Sequence, residues 1–256
     1  MWNAGQEAMK YVYRELKIQP EVQTKHYLSK YDLAALIEYD TTFTISRAVS
    51  EQHQLCWLLG FVCGVRPGSI GTSRHRKDQF LQVQDIQIKR SGGPYNFQAT
   101  ITFRWLKGYR DENRKRYVNS KRSSIYILIP NSLVFTCGGP STPDEVIYSI
   151  PHRLLALLLR RGYLQDHDSV DSLLSGTEVS IATKESAQDK PIVATAMPQG
   201  VGLDQDHAAT CDAISAYVQR RARDFGLPIG ITHYAWRRSA GESSMFMLFW
   251  TILTSD

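Results

Sequence analysis

The first third of the chain carries apolar residues that recur three and four positions apart, which is the spacing of an amphipathic helix. This pattern predicts helices at about Gly5–Leu16, Lys30–Tyr39 and Thr44–Gly64. Pro67 follows the third helix and cannot continue it, because proline lacks the amide hydrogen that a helix needs. The sequence therefore opens on a helical region.

The middle of the chain changes to alternation with a period of two, the pattern of a strand with one buried face. Phe80–Lys89 and Phe97–Trp105 both alternate, and the turn-forming segment Gly92–Pro94 lies between them. These two strands are predicted to form an antiparallel hairpin. Ser124–Ile129 is a candidate for a third strand. We therefore expect a small antiparallel sheet of three strands.

Helix returns in the last part of the chain, around a long and weakly periodic stretch. Ile150–Arg161 and Asp206–Phe225 are predicted helices, and another is expected to begin near Ile231. The intervening stretch is predicted to hold short strands in a long loop, with Glu178–Ala182 and Pro191–Thr195 as candidates. The order of helices, sheet and helices predicts an α+β, mainly α fold with a small antiparallel three-stranded sheet among the helices.

Length and composition are those of a globular protein. The 256 residues, 43% hydrophobic and 21% charged, indicate one large domain, or a domain plus an appendage, with a buried core. They exclude collagen-like, disulfide-scaffold and wholly disordered chains. The four cysteines form no CxxC pair and no secretory signal is recognised, so we expect reduced thiols and an intracellular location.

The sequence suggests neither a membrane partner nor a cofactor. The longest apolar runs, Leu55–Val65 and Met245–Leu253, are too short to span a bilayer. The seven histidines show no metal-ligand spacing such as HExxH. We therefore expect no membrane, no metal and no other cofactor.

Positive charge is concentrated in one segment. The chain has a net charge of +5 and a pI of about 9.0, whereas Arg104–Arg122 alone holds eight basic and two acidic residues, a net charge of +6. Trp105, Tyr109 and Tyr117 interleave with these charges. Such a composition is typical of a nucleic-acid-binding surface; a solvated loop rich in Lys and Arg is the alternative. The candidate DNA-binding residues are Arg104, Arg110, Arg114, Lys115, Arg116, Lys121, Arg122 and, near the C-terminus, Arg238.

Arg66 stands at the end of the third predicted helix, in the sequence CGVRPGS. An arginine where a buried helix turns needs a partner for its charge. The alternative is an arginine that caps the C-terminus of its own helix. Gly64, Gly68 and Gly71 do not make a P-loop, because no GK[ST] follows and a helix stands where a strand is needed. No nucleotide cofactor is expected.

A second arginine motif follows in the sequence ITHYAWRRSA, which begins at Ile231. Tyr234 and Arg237 are three positions apart and share a helix face, and Arg238 is four positions from Tyr234. A guanidinium group donates two parallel hydrogen bonds to two phosphate oxygens. Two such arginines from distant parts of the chain would clamp one phosphate from two sides, as phosphoryl transfer requires. The alternative is a helix N-terminus with ordinary cations on its solvent face.

Several short passages, taken in order, resemble the catalytic domain of tyrosine recombinases, the phage-integrase-like fold. The passages are QTKHYLSKYD, GVRPGS, FRWLKG, IPHRLLALLLRRGYL, DKPIVAT and ITHYAWRRSAG. More closely, the chain resembles the fungal branch of this family, the captain recombinases of Starship mobile elements, whose domain is also called a FluG domain. The resemblance covers roughly Glu21–Gly241.

The resemblance implies roles for individual residues. Arg66 and Arg237 would bind the scissile phosphate as the two arginines of the family. Lys107 would be the general acid that protonates the leaving 5′ oxygen. Tyr234 stands where most recombinases carry the histidine of an HxxR motif, and the fungal branch often has tyrosine at that position.

Two neighbouring residues are secondary candidates. Lys89 is a rival for the general-acid role, although the Lys-Gly turn favours Lys107. His233 is one residue out of register with the HxxR motif and is given a supporting part.

The chain departs from the family at the nucleophile. The family requires a tyrosine after the second arginine motif, which attacks the phosphate and forms a covalent 3′-phosphotyrosyl intermediate. Residues 239–256 contain no tyrosine, and the GH-type box of the family is missing too. About 20 residues precede the matching region, fewer than a core-binding domain needs. We therefore divide the chain into an N-terminal remnant (1–20), a recombinase-like catalytic domain (21–241) and a divergent apolar tail (242–256).

The resulting expectation is a DNA-binding, recombinase-like domain of a mobile element that is inactive alone. Its partners would be double-stranded DNA and other recombinase subunits, one of which would donate a tyrosine, and its location would be the nucleus. Two alternatives stay open. One is a non-catalytic DNA-binding or interaction module, and the other is a nonfunctional relic that folds poorly.

Overall fold

The computed structural model describes residues 27–93, 95–105, 132–228 and 230–238. The helices within these ranges are α1 (Lys30–Thr42), α2 (Arg47–Val62), α3 (Ile150–Arg160), α4 (Val170–Ser175) and α5 (Cys211–Asp224), and residues 233–238 are also helical and are called α6. The helices predicted at Lys30–Tyr39, Thr44–Gly64 and Ile150–Arg161 are confirmed to within one turn. The one predicted at Gly5–Leu16 lies outside the described residues.

The deeply buried helix α2 lies at the centre of the helical layer. Leu55, Trp57 and Leu59 are fully buried, and α1, α3 and α5 pack around the helix. Complete burial of one such side chain contributes about 1.5–3 kcal/mol relative to exposure. By contrast, α3 is amphipathic, with Leu154 inside and Arg160 at the surface. The helix that leads into Arg66 is therefore held on several sides.

The main sheet is antiparallel, and its strands are β1 (Ile86–Arg90), β2 (Phe97–Phe103), β3 (Leu133–Cys137) and β4 (Ser180–Ile181) in the order β3-β2-β1-β4. Alternate residues of β1 and β2 are buried, as their sequences predict. The predicted hairpin is confirmed, but its first strand begins at Ile86 and not at Phe80, because Val83–Asp85 form a short 3₁₀ turn before it. The α+β fold class is also confirmed.

The prediction of a three-stranded sheet is wrong, because β4 adds a fourth strand beside β1. The candidate at Glu178–Ala182 contains this strand, and the candidate at Pro191–Thr195 overlaps a strand of a second sheet. β3 was not predicted, since its residues are mostly half-buried and do not alternate. The strand predicted at Ser124–Ile129 lies outside the described residues.

The second sheet is an antiparallel hairpin of β5 (Ala194–Ala196) and β6 (Leu203–Ala208). The sequence of β6 is polar, so hydrophobic patterning could not find it. The start predicted for the helix Asp206–Phe225 is wrong, because its first residues belong to β6. The helix begins after Thr210, whose hydroxyl accepts a hydrogen bond from the amide of Ala213 at 3.1 Å and caps α5.

A buried polar cluster ties α1, α2 and α5 together. The carboxylate of Asp40 is fully buried and accepts hydrogen bonds from the hydroxyl of Ser50 (2.5 Å), the amide of Gln54 (2.9 Å), the hydroxyl of Tyr217 (2.8 Å) and Nε of Arg221 (2.6 Å). An ion pair in a dry interior is stable only when its remaining polar atoms are also bonded. This cluster meets that condition.

Candidate phosphate-binding site

The turn after α2, residues 63–72, holds Arg66 in an extended conformation and is called the Arg66 turn. Gly64 has a φ of 64°, which ends the helix without the steric cost that a Cβ atom would add. Pro67 disfavours the helical conformation at the residue before it, and Arg66 has φ −93° and ψ 154°. The amide of Ser69 donates to the carbonyl oxygen of Arg66 at 2.9 Å. Gly64 and Pro67 thus set the direction in which the chain leaves α2.

Backbone hydrogen bonds fix the following residues to two other elements. The amide of Thr72 donates to the carbonyl of Ala209 (2.9 Å), and the amide of Cys211 donates to the carbonyl of Thr72 (2.7 Å). A Cβ atom at Gly71 would lie 2.4 Å from the carbonyl oxygen of Ala209, so only glycine permits this approach. The carbonyl of Ile70 accepts from the amide of Leu81, five residues before β1, at 2.9 Å. The Arg66 turn is therefore bound both to the start of α5 and to the segment that leads into β1.

His233 docks α6 against α2. Its Nε2 lies 2.9 Å from the carbonyl oxygen of Cys56, which assigns the ring proton to Nε2. A Cβ atom at Gly60 would lie 2.4 Å from Cε1 of His233, so the glycine makes room for the ring. Burial lowers the pKa of His233 to about 4, and the ring is neutral at pH 7. In the structure His233 lies between α6 and α2 and holds α6 in place, which is consistent with the supporting part expected for it.

Arg66, Tyr234 and Arg237 lie together where α6 meets the Arg66 turn. Cζ of Arg66 is 5.7 Å from the centre of the Tyr234 ring, a cation–π contact. Tyr234 is 43% exposed, and both arginines are half-buried. Burial lowers the pKa of Arg237, and the neighbouring charge of Arg66 lowers it further. The structure thus brings these three predicted residues into one cluster.

The two arginines have no counter-charge within the described part of the chain. Neither guanidinium makes a hydrogen bond or a salt bridge to any described residue, and Nε of Arg66 is buried without a partner. The alternative of Arg66 as a cap of its own helix therefore finds no support. Two half-buried cations side by side repel each other and have lost part of their hydration. A bound tetrahedral anion would satisfy both groups.

Arg104, a predicted DNA-binding residue, is paired within the protein. Its Nε contacts the carboxylate of Asp85, which is almost fully buried and also accepts from the amide of Gln82 at 2.9 Å. Burial raises the pKa of Asp85, while the hydrogen bonds from Gln82 and Arg104 act in the opposite direction. Arg104 directly follows β2, so this pair fixes the start of the connection from β2 to β3.

The other basic candidates in that connection lie outside the described residues. They are Lys107, Arg110, Arg114, Lys115, Arg116, Lys121 and Arg122. In the sequence they stand between the end of β2 and the start of β3. The end of β2 lies beside the start of β1, and the amide of Leu81, five residues before β1, donates to the carbonyl of Ile70 at 2.9 Å. The connection therefore begins at the end of the sheet where β1 starts, and the segment that leads into β1 is bound to the Arg66 turn.

Two further candidates have defined positions. Lys89 is exposed on β1, where it pairs with Gln98 of β2 and Ser180 of β4. Its neighbours Ile86 and Ile88 face the core, so Lys89 lies on the solvent face of the sheet. Arg238 is half-buried on α6, next to Arg237.

Three residues that position the cluster were not recognised from the sequence as doing so. Gly60 and Gly71 allow close approaches, and Asp85 binds Arg104. A glycine inside an apolar helix is a signal of close packing, which could have drawn attention to Gly60. Asp85 gave no such signal, because it stands in an alternating strand pattern beside several glutamines.

Other kinds of site are less well supported by the described residues. The larger of two clefts, about 240 Å³, is lined by polar side chains of α1 and α2 and by Arg153, and neither cleft is lined by Arg66 or Arg237. No group of three or more His, Cys, Asp or Glu residues in the described ranges is placed to hold a metal ion. Within those ranges no helix has the length and apolar character needed to cross a membrane. We therefore take the arginine cluster as the candidate site.

Comparison with known proteins gives one structural likeness. No protein-family model and no curated protein matches this chain. The chain is similar to the solved structure of the XerH site-specific recombinase bound to difH substrate in a pre-cleavage complex. The two chains are 12% identical with a TM-score of 0.44, and the match covers 90% of this chain and 45% of the XerH chain. This chain thus spans less than half the length of that recombinase.

Proposed function

We propose that this chain binds double-stranded DNA as a tyrosine-recombinase-like catalytic domain, with one backbone phosphate held between Arg66 and Arg237. The observation that carries the proposal is the pair of neighbouring, half-buried guanidinium groups that have no hydrogen-bonding or acidic partner among the described residues. A phosphodiester supplies that partner, because its two non-bridging oxygens accept parallel hydrogen bonds from a guanidinium. The sequence resemblance to the tyrosine recombinases supports the same assignment.

The residues around the arginine pair have separate parts in this proposal. Tyr234 packs against the guanidinium of Arg66 and orients it, and its phenol adds a further donor toward the phosphate. His233 holds α6, and therefore Arg237, against α2 through the carbonyl of Cys56. Because His233 is buried and neutral, it is a positioning residue and not a proton donor to the substrate.

The basic connection between β2 and β3 would hold the duplex beside the arginine pair. Its start is fixed by the ion pair of Arg104 with Asp85, at the end of the sheet where β1 begins, and the segment before β1 is bound to the Arg66 turn through Leu81. Cations there would neutralise phosphates of the DNA backbone without reading its sequence. Lys107 would protonate the leaving 5′ oxygen in an assembly able to cleave DNA.

The proposal includes that these 256 residues do not cleave DNA alone. Residues 239–256 contain no tyrosine that could take the place of the family nucleophile, and the remaining groups only stabilise charge. Cleavage would need a tyrosine from outside these 256 residues, such as one from another recombinase subunit. A covalent protein–DNA adduct formed by this chain alone on a nicked duplex would contradict this part of the proposal.

The assignment to one branch of the tyrosine recombinases rests on the sequence resemblance. We place the chain with the captain recombinases of fungal mobile elements, whose domain is called a FluG domain, and expect it in the nucleus with its DNA. The second candidate function is a DNA-binding module without chemistry. It uses the same arginine pair, because Arg66 and Arg237 can hold a phosphate without any nucleophile beside them.

Duplex binding by arginine variants tests the proposal. In fluorescence anisotropy at low salt, Arg66→Ala and Arg237→Ala should each weaken binding of a labelled duplex about ten-fold or more, since each removes hydrogen bonds between charged groups. Arg66→Lys keeps the charge but not the planar fork, so an intermediate loss is expected. The matched control is Arg223→Ala, an exposed arginine near the end of α5 away from the Arg66 turn.

The result that would overturn the proposal is equally clear. If Arg66→Ala and Arg237→Ala bind the duplex as tightly as the wild type, with unchanged melting temperatures, the arginine pair does not hold a DNA phosphate. The same conclusion follows if the wild type shows no binding at low salt.

A further inference from the structure

A short basic turn follows the Arg66 turn directly, and no role has yet been assigned to it. We call residues 73–77 (SRHRK) the basic turn. The amide of Arg76 donates to the carbonyl of Ser73 at 2.9 Å, and the amide of Ser73 donates to the carbonyl of Arg76 at 3.2 Å, which closes the turn. Arg74, His75 and Lys77 are exposed. The turn thus displays several cations on a short and defined backbone.

The basic turn is held at both of its ends. On one side, Thr72 exchanges backbone hydrogen bonds with Ala209 and Cys211, at 2.9 and 2.7 Å. On the other side, Leu81 donates to Ile70 and accepts from the amide of Ile192, at 2.9 and 3.0 Å. Its cations are therefore kept in a fixed place relative to the arginine pair and are not carried on a long, free loop.

The cations of the basic turn have few counter-charges. None of Arg74, Arg76 and Lys77 forms a salt bridge within the described ranges, and Nη1 of Arg76 is buried without a hydrogen-bond partner. Asp78 follows the turn in the sequence, and Asp212 lies in the first turn of α5, next to the Cys211 that donates to Thr72. A net positive charge is left beside the proposed phosphate site.

We propose that the basic turn binds backbone phosphates of the duplex next to the phosphate that Arg66 and Arg237 hold. This inference rests on the proposed function, because it requires DNA at the arginine pair. A strand that continues past that phosphate carries one charge for about every 3.4 Å along the helix axis, so neighbouring phosphates lie within reach of an adjacent basic surface. Arg74 and Lys77 contact phosphates and not bases, and therefore position the duplex without specifying its sequence.

The salt dependence of binding tests this inference. The wild type and the double variant Arg74→Ala/Lys77→Ala are titrated with the same labelled duplex at several salt concentrations. Loss of two phosphate contacts should reduce the slope of log K against log salt by about 1.8. Arg74→Lys keeps the charge and should keep the wild-type slope.

The matched control removes two exposed arginines far from the site. In Arg47→Ala/Arg223→Ala, one arginine begins α2, about 24 Å along that helix from the end that leads to Arg66. The other lies near the end of α5 opposite to the contact with Thr72. This control has the same net charge as the test variant, and its slope should equal that of the wild type. Melting temperatures show that both variants are folded.

The outcomes separate this inference from the proposed function. If the wild type binds and Arg66→Ala weakens binding, but Arg74→Ala/Lys77→Ala keeps the wild-type slope, only the inference about the basic turn is overturned. An equal fall of the slope in test and control variants also overturns it, since the effect is then one of total charge. If the wild type does not bind duplex DNA, both proposals are overturned.

Discussion

Two regions of this molecule take arginine side chains out of water in opposite ways. In the cluster between α1 and α5, Arg221 is buried and donates from Nε to the carboxylate of Asp40 at 2.6 Å. At the Arg66 turn, Arg66 and Arg237 are half-buried, lie near each other and have no acidic partner among the described residues. The first arrangement stabilises the fold. In the second arrangement the guanidinium groups have lost part of their hydration without gaining hydrogen bonds from the protein. Hydrogen bonds to a bound anion would offset that loss.

The largest change in the free energy of unfolding is expected when the ion pair of Asp40 with Arg221 is broken. Asp40→Ala takes from the buried Arg221 the carboxylate to which its Nε donates, so the free energy of unfolding should fall by about 3–5 kcal/mol. Asp224→Ala is the control, because this more exposed carboxylate lies 3.8 Å from the same Arg221 and should contribute less than about 1 kcal/mol. Urea denaturation measures both.

Urea denaturation of an Arg66 variant tests the other side of the comparison, the arginines that have no acidic partner among the described residues. Arg66→Ala removes a cation that has no acidic or hydrogen-bonding partner within the described ranges and only packs against the ring of Tyr234, so its free energy of unfolding should fall by no more than about 1 kcal/mol. A loss as large as that of Asp40→Ala would show that Arg66 is a structural arginine with a partner, contrary to the difference drawn between the two regions.

The next effect concerns pH. Burial lowers the pKa of both His233 and His53 from 6.5 to about 4. Below pH 6.5 the unfolded chain takes up protons that the folded chain does not, so stability falls as the pH drops from 6.5 toward 4. Each histidine should remove about 2 kcal/mol between pH 7 and pH 5.

His233→Gln isolates the contribution of the arginine cluster to this pH dependence. It should abolish about half of the loss of stability that the two buried histidines cause between pH 7 and pH 5. His75→Gln, at an exposed position, should leave that loss of stability unchanged. Stability is measured by urea denaturation at pH 5 and pH 7. An unchanged pH dependence in His233→Gln would contradict the buried, neutral state of that ring.

A smaller loss of stability than that of Asp40→Ala is expected from the variant that tests how α6 is held. Gly60→Ala places a Cβ atom 2.4 Å from the ring of His233. The overpacking should outweigh the higher helix propensity of alanine and cost about 1 kcal/mol net, and DNA binding should weaken because Arg237 moves with α6. The control is Gly138→Ala, where a Cβ atom would meet nothing within 4 Å. Wild-type binding by Gly60→Ala would show that the position of α6 does not matter.

The parts of the fold that sequence predicts well are those with a strong period. α2 and α3 are long apolar segments, and β1 and β2 alternate cleanly, so their types follow from local pattern alone. β3 and β6 could not be predicted in this way. β3 is half-buried without alternation, and β6 is polar and gains its structure from backbone pairing with β5. Their strand character comes from neighbours that are distant in the sequence.

The site shows the same division. Arg66 and Arg237 were matched by residue chemistry and family resemblance, and the structure places them together. The partner of Arg104 could not be foreseen, because Asp85 comes beside it only through the pairing of β1 with β2. The pair of Asp40 and Arg221 spans 181 positions for a similar reason. Ion pairs made by tertiary packing leave no local pattern in the sequence.

The central claim is that Arg66 and Arg237 hold the same phosphate, and a double-mutant cycle on duplex affinity tests it most directly. Affinities are measured for the wild type, Arg66→Ala, Arg237→Ala and the double variant in one buffer. Two groups that share one phosphate are coupled, so the loss in the double variant should be smaller than the product of the single losses, by a factor corresponding to about 0.5–3 kcal/mol. Losses that simply multiply, or single variants that bind like the wild type, would contradict the claim.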